Sequence, residues 1–120
     1  MNERPIRIVS FHDPVTGQAQ SPDPERLISG KPQQTIANHF ADESNQFFAG
    51  VWSSTRGKWR VRYTENEFCH LTSGRLIVIA DSGERHEFAA GDSFVIPAGF
   101  AGTWEVVEDC SKLYAIFEPR

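Results

Sequence analysis

The stretch Gly91-Asp92-Ser93-Phe94-Val95-Ile96-Pro97-Ala98-Gly99 places a glycine turn, a four-residue strand and a proline-glycine turn end to end with no spare residue. Glycine reaches positive φ at little cost, whereas proline fixes φ near −65° and removes a ladder donor. The strand therefore runs from Ser93 to Ile96 and stops there, as the tight corner of a small β-barrel.

Working outward, strand signals recur every eight to twelve residues from Thr35 onward, the spacing of an all-β sandwich or barrel. Gln46 to Ser53 is aromatic and β-branched, Gly57 opens Lys58 to Tyr63, and Glu67 to Thr72 runs to a Ser73-Gly74 turn. Arg75 to Ala80 turns back through Asp81-Ser82-Gly83 into Glu84 to Phe88, as a hairpin. Beyond the corner, Thr103 to Val107 is expected to pair with Lys112 to Glu118 through a Glu108-Asp109-Cys110 turn. No segment carries a sustained helical period.

Residues 6 to 11 alternate well enough for a short strand. From Asp13 to Gln34 the chain is interrupted by Pro14, Pro22, Pro24 and Pro32, with Gly17 and Gly30 between them. This reads as a Pro-rich strap lying over the barrel, with at most one helical turn near Pro24 to Ile28. Residues 1–34 are thus taken as strand and strap, and 35–120 as the barrel.

At 120 residues the chain makes one domain and can bury a core of its own. Its apolar fraction of 39% is below the usual range, but three Trp and nine Phe supply large side chains for a compact β core. The net charge of −4 and the lack of any Lys/Arg cluster argue against nucleic acid as a partner. The first residues lack the apolar core of a signal peptide, and no run of about 18 apolar residues is present. No membrane partner and a cytoplasmic location are therefore expected. Two cysteines, Cys69 and Cys110, are too few for a disulfide framework and are not expected to pair.

The spacing Gly91, five residues, Pro97-Ala98-Gly99 resembles the second signature motif of the cupin superfamily, and Glu67, six residues, Gly74 resembles the end of the first. Gly50-Val51-Trp52, Trp59-Arg60-Val61, Tyr63 to Cys69, Gly102 to Val106 and Lys112-Leu113-Tyr114 resemble, in order and spacing, the small cupins related to the (S)-ureidoglycine aminohydrolase cupin domain. The resemblance covers residues 45 to 118. It implies a cupin-like (RmlC-like jelly roll) antiparallel β-barrel. Together with the need to cover sheet edges, it also implies a homodimer, expected through edge strands and the strap.

Metal-binding cupins take two histidines and a glutamate from the first motif and a third histidine from the second. Here the glutamate position is Glu67. A three-residue turn before it puts Val61 and Tyr63 at the histidine positions, a four-residue turn puts Arg60 and Arg62 there, and the third position is Gly102. No metal or other cofactor is therefore expected. His70 lies three residues from Glu67, on the opposite face of a strand, and His12, His39 and His86 are isolated.

Burial selects the three-residue turn Thr64-Glu65-Asn66, because it sends Trp59, Val61 and Tyr63 inward and Arg60 and Arg62 outward. The inner wall then carries Glu67, Cys69, Leu71, Trp104 and Val106. If the last strand keeps the phase implied by the resemblance, Lys112 and Tyr114 join them. A carboxylate in an apolar interior tends toward a raised pKa unless a cation offsets it, so Glu67 is the candidate acid or base. Tyr63, Cys69, Trp104, Lys112 and Tyr114 are the candidate binding residues around a small-molecule ligand. Glu67 and Lys112 could equally form a buried structural pair. Two functions remain open: a metal-independent enzyme of ureide, amino-acid or sugar metabolism, or a module that binds or senses a small polar metabolite without turning it over.

Overall fold

A computed structural model describes residues 5–120. Among these residues there is no helix, and hence none long and apolar enough to cross a membrane. Nine strands form one curled antiparallel sheet, a half-barrel: β1 (Gln18–Gln20), β2 (Leu27–Gly30), β3 (Gln34–Ala41), β4 (Phe47–Ser54), β5 (Gly57–Arg62), β6 (Asn66–Ala80), β7 (Arg85–Ala89), β8 (Ser93–Ile96) and β9 (Ala101–Phe117).

The expected corner is present. β8 spans Ser93–Ile96, Gly91 and Gly99 take φ of 96° and 94°, and the strand pairs with β6 so that Glu67 lies beside Ile96 and Cys69 beside Phe94. The hairpin of β6 and β7 around Asp81-Ser82-Gly83 also forms, with Gly83 N–H donating to Ala80 O at 2.8 Å.

β6 and β9 correct two sequence expectations. Ser73-Gly74 does not end a strand, and Glu108-Asp109-Cys110 does not turn a hairpin. β6 runs 15 residues and β9 runs 17, paired with each other along both halves. Their pairing slips at Leu71/Ser73, Ser73/Arg75 and Arg75/Leu76, so β6 buries odd residues before the slip (Glu67, Cys69, Leu71) and even ones after it (Leu76, Val78). A bulge adds a residue to one strand, bends it and shifts its side-chain phase. Gly74 sits at that bend with φ of 83°, packed so closely on Asp109 O and Cys110 that a Cβ would collide with them. The two strands therefore bend together, and a sequence that resembles two turns is one corner crossed twice.

β9 keeps its phase throughout. Gly102, Trp104, Val106, Cys110, Lys112 and Tyr114 are all buried on the concave face. Against that face pack Trp52 of β4 and Trp59 of β5, and the three tryptophans make tilted and edge contacts at 5.9 and 6.2 Å between ring centroids. Each such pair contributes roughly 0.5–1.5 kcal/mol beyond its buried area. Cys69 and Cys110 are both buried and free.

Residues 5–34 differ from expectation. Residues 6–11 form no strand: no strand among the described residues pairs with them, and Ile6 and Ile8 are fully exposed. Of the expected strap, residues 18–20 and 27–30 are strands rather than overlying loop: β1 pairs with β3 and β2 with β5, so both extend the sheet at its edges. The turn at residues 24–26 is a single one, closed by Leu27 N–H to Asp23 O at 3.1 Å, after which the chain leaves as β2.

At Gly102, β9 lies so close to β6 that a Cβ there would collide with Ile79 O and lie 2.9 Å from Ala80 Cα. Forcing atoms into a packed interior costs about 1–3 kcal/mol. Gly102→Ala is expected to lower the unfolding free energy by about that amount in urea titration, and an unchanged midpoint would refute the close approach.

Candidate functional site

β6 and β9 place Glu67, Cys69 and Lys112 on one face by simple alternation, with Cys69 opposite Tyr114 and Leu71 opposite Lys112. β5 brings in Val61, and Tyr63 follows at its end, tied down by Tyr63 N–H to Phe100 O and Gly99 N–H to Tyr63 O, both 2.8 Å. Arg60 points outward and pairs with Asp81 at 2.9 Å, and Arg62 is exposed. The three-residue register is therefore the one adopted.

Glu67 is engaged at both oxygens. Tyr63 OH donates to Oε1 at 2.8 Å, and Lys112 Nζ donates to Oε2 at 2.9 Å. The ion pair is nearly sealed from solvent, with side chains 6% and 5% exposed. Lys112 Nζ also donates to Cys69 Sγ at 3.4 Å and lies 4.3 Å from the Trp104 ring centroid and 4.8 Å from that of Trp52. An ammonium between two desolvated indole faces gains about 2 kcal/mol or more from their quadrupoles. The sixth candidate, Tyr114, turns away from this cluster: its hydroxyl donates to Asn38 Oδ1 at 2.7 Å on β3.

The environment fixes protonation. Burial works to lower the Lys112 pKa, but the Glu67 charge, with the Cys69 contact, outweighs it and leaves the ammonium above its ordinary value. Burial pushes the Cys69 thiol up to about 12, against the pull of Lys112, so at neutral pH it is a thiol and not a nucleophile. Burial and then the Glu67 charge hold Tyr63 well above its ordinary value, and burial followed by the same charge takes Tyr114 up to about 12.

The residues at the metal positions of cupins do not fit a divalent ion. Val61 offers no donor, Tyr63 stays protonated on Glu67, and Gly102 has no room for a side chain beside Ile79 O. Among the described residues no three His, Cys, Asp or Glu side chains converge. Glu67 instead faces a cation carried by the chain itself.

Beside this cluster lies a cavity of about 300 Å3 between β6, β7 and β8. Phe88, Phe94, Ile96 and Phe100 line it, with Glu84 and His86 at its edge. Phe94 and Ile96 are the register partners of Cys69 and Glu67, and Phe100 meets Tyr63 edge to face at 6.2 Å, so one layer of side chains separates cavity from ion pair. His86, Phe88 and Phe94 form a parallel stack, with 5.8 and 3.9 Å between successive centroids and tilts of 7° and 6°. His86 Nε2 lies 2.7 Å from Glu84 Oε2, and in the neutral tautomer that donates to this carboxylate Nδ1 is the ring's acceptor. The sequence reading missed this wall. The signal was there: His86 and Phe88, then Phe94 and Ile96, are i, i+2 pairs on the successive strands β7 and β8, each paired with β6.

The buried pair sets two expectations. Removing one charge from a buried pair costs about 3–5 kcal/mol, because the other is left uncompensated. Lys112→Met should lose that much in urea titration, whereas Glu67→Leu combined with Lys112→Met should recover most of it. A single variant as stable as the parent would show the pair to be dispensable. Second, Cys69 holds its proton more tightly folded than unfolded, so its contribution is whole below pH 9.0 and is lost as pH rises from 9.0 toward about 12. Thermal midpoints should therefore fall as pH rises above 9, and Cys69→Ala should flatten the first part of that fall.

Residues 41–114 match the EutQ-like cupin domain family. No curated protein matches. Among solved structures, a Pseudomonas syringae protein of unknown function is 26% identical with a TM-score of 0.79, covering 90% of this chain and 46% of its own. This chain thus spans about half the length of that relative. The EutQ protein of Clostridium difficile is 19% identical (TM-score 0.65, 82% of this chain, 80% of that one). A Thermotoga maritima protein described as a predicted oxalate decarboxylase is 16% identical (TM-score 0.71, 94% and 100%). At those identities the last two speak to fold alone.

Proposed function

This chain belongs to the EutQ-like cupin domain family, and we propose that it binds a small planar polar metabolite in the cavity bounded by Phe88, Phe94, Ile96 and Phe100. One observation carries this reading: a cavity of about 300 Å3 beside a preformed stack of parallel rings. That volume sits at the lower end of small-molecule pockets, roughly 300–1,000 Å3, which are mostly apolar with a few polar groups for orientation. A flat ring laid on the Phe88–Phe94 stack gains about 0.5–1.5 kcal/mol per ring contact. Glu84 and His86 supply the polar edge, one accepting and the other able to accept or, protonated, to donate.

Binding without turnover is favoured over catalysis at Glu67, because both of its oxygens are already committed and its neighbours Cys69 and Tyr63 stay protonated. The sequence resemblance to ureidoglycine aminohydrolase cupins contributes no reaction, since its metal-ligand positions carry Val61, Tyr63 and Gly102. A second reading, a metal-independent enzyme, is supported by one feature: the Glu84 carboxylate orients His86 and leaves Nδ1 as a base at the cavity edge.

Thermal-shift screening with small ring metabolites tests the proposal. A ligand at 100 times its Kd should stabilise the protein by about 2.7 kcal/mol, and Phe88→Ala should weaken binding by about tenfold through the lost stack. The same sample, followed over time by chromatography, should show the ligand unconsumed. No shift with any ring compound, or a shift unaffected by Phe88→Ala, would refute this site; consumption abolished by His86→Gln would establish the enzyme reading instead.

A further inference from the structure

The corner where β6 and β9 bend together is polar on its outer side. Ser73 pairs with Ser111 between two slips of the β6 and β9 ladder, Ser111 pairs with Ser53 on β4, and Ser53 pairs with Thr35 on β3. Four hydroxyl side chains therefore stand in one cross-strand row, about 4.8 Å from strand to strand and roughly 14 Å from end to end. Alternation puts the row on the convex face, because the strand neighbours Gln34, Ser54, Cys110 and Lys112 are buried on the concave one. Ser73 joins it only through the bulge. Odd residues of β6 are buried up to Leu71, and the slip between Leu71 and Ser73 turns Ser73 outward, where it is exposed.

The hydroxyls of this row are without partners. Ser and Thr side chains opposite each other often bond across strands, and neighbouring hydroxyls here are engaged: Ser54 Oγ donates to Thr55 O at 2.8 Å, and Thr72 Oγ1 to Ser111 O at 3.0 Å. Among the described residues, the side chains of Thr35, Ser53, Ser73 and Ser111 make no such bond.

Along the row lies an open cleft of about 350 Å3, lined by Thr35, Ser53 and Ser73 together with Gln33, Asp109 and Cys110. Its rim is braced from both sides. Gln33 N–H donates to Thr55 Oγ1 at 2.8 Å, Thr55 N–H to Gln33 O at 3.1 Å, and Arg56 N–H to Asp109 Oδ1 at 3.1 Å. Asp109 keeps its second oxygen for another donor. The cleft shares no lining residue with the cavity at Phe88 and Phe94.

The lining narrows the ligand by elimination. None of the described residues that line it is Lys, Arg or His, so an anion meets the Asp109 carboxylate and no counter-charge. A calcium-like cation collects roughly six to eight oxygens, several of them charged, and finds here one carboxylate already half committed. No aromatic ring lines the cleft, so a flat apolar ring has nothing to stack on. Hydroxyls both donate and accept, whereas a carboxylate only accepts. Such a set matches a neutral molecule that carries several hydroxyls of its own.

We infer that this cleft is a second binding site, for a neutral polyol or monosaccharide, in which Asp109 accepts from one ligand hydroxyl and Thr35, Ser53 and Ser73 bond others. Each neutral hydrogen bond contributes modestly in water, and four of them correspond to a dissociation constant on the order of 1 mM. The site stands on its own geometry and does not depend on the ring ligand proposed for the other cavity.

Titration of the full chain with myo-inositol and with D-glucose, followed in amide NMR spectra, tests the inference. Saturable shifts are expected at residues 33–35, 53–55, 73 and 109–111. Ser53→Ala combined with Ser73→Ala removes two outward hydroxyls that bond nothing in the chain, so it leaves the fold intact and should weaken binding by about tenfold or more. Asp109→Asn keeps an oxygen for Arg56 N–H and should weaken it by about fivefold. No saturable shift with either polyol at about ten times the expected dissociation constant overturns the inference. Saturable shifts confined to other residues overturn it too, as do shifts with sodium sulfate or calcium chloride but with neither polyol. A folded double variant that binds as tightly as the parent has the same meaning. If the double variant loses its β circular dichroism, Asp109→Asn decides alone: unchanged affinity overturns the inference, weakened affinity sustains it.

Discussion

An ammonium ion sits inside this half-barrel, and much of the interior is arranged around it. Moving a charge of that size from water into protein costs several kcal/mol even after relaxation. Lys112 is compensated on four sides, by the Glu67 carboxylate, the Cys69 sulfur and the indole faces of Trp52 and Trp104. Each of those partners is constrained in turn. Tyr63 takes the second oxygen of Glu67, Trp52 packs on Trp59, and Trp104 meets Phe94 at the cavity floor. Replacing a pair of this kind with matched apolar residues is often neutral in stability, so its value lies elsewhere. A half-satisfied version is costly, and any slip of β6 against β9 would produce one.

That register is itself produced by the corner at Gly74. Because β6 changes its buried phase there while β9 does not, Glu67 and Cys69 face Lys112 and Tyr114 above the bend while Leu76 and Val78 face Trp104 and Val106 below it. A one-residue slip in a sheet moves every side chain to the other face. The bulge makes such a slip in β6 alone, so that two strands of unequal phase line the same concave wall. Without it, either the ion pair or the tryptophan layer would point into solvent.

The sequence made the strands legible wherever alternation and turn residues agreed. Ser93 to Ile96, the Asp81-Ser82-Gly83 hairpin and the inward set of Trp59, Val61 and Tyr63 follow from local chemistry and are in the structure. So is the convergence of Tyr63, Glu67, Cys69, Trp104 and Lys112, since period-two alternation places all of them on one face once the strands pair. The failures share a cause. Ser73-Gly74 and Glu108-Asp109-Cys110 have turn composition, and only the long-range pairing of β6 with β9 shows that they bend a ladder and do not end it. The β1 and β2 strands are short and polar or flanked by proline, so their strand character comes from available edges and not from their own residues. Tyr114 has the right phase, but its hydroxyl is claimed by Asn38, a residue 76 positions away that no local pattern connects to it.

The contrast between ion pair and cavity bears on what the interior can recognise. Where a cupin barrel holds a metal, the charge at its centre is open to ligands and sets the binding chemistry; here the central cation is a side chain whose donors and faces are already occupied. The pair is neutral as a unit, and a neutral pair behind a layer of apolar side chains projects little field into the adjoining space. For the proposed ligand, ring shape and stacking are then the selective terms in the cavity, with Glu84 and His86 at its edge supplying directional polarity. At the glutamate position of the metal-binding cupins, Glu67 is held by Lys112 and Tyr63 as a fixed part of the core. In the proposed reading the ligand-facing chemistry lies one side-chain layer outward, at the stacked Phe88 and Phe94 rings.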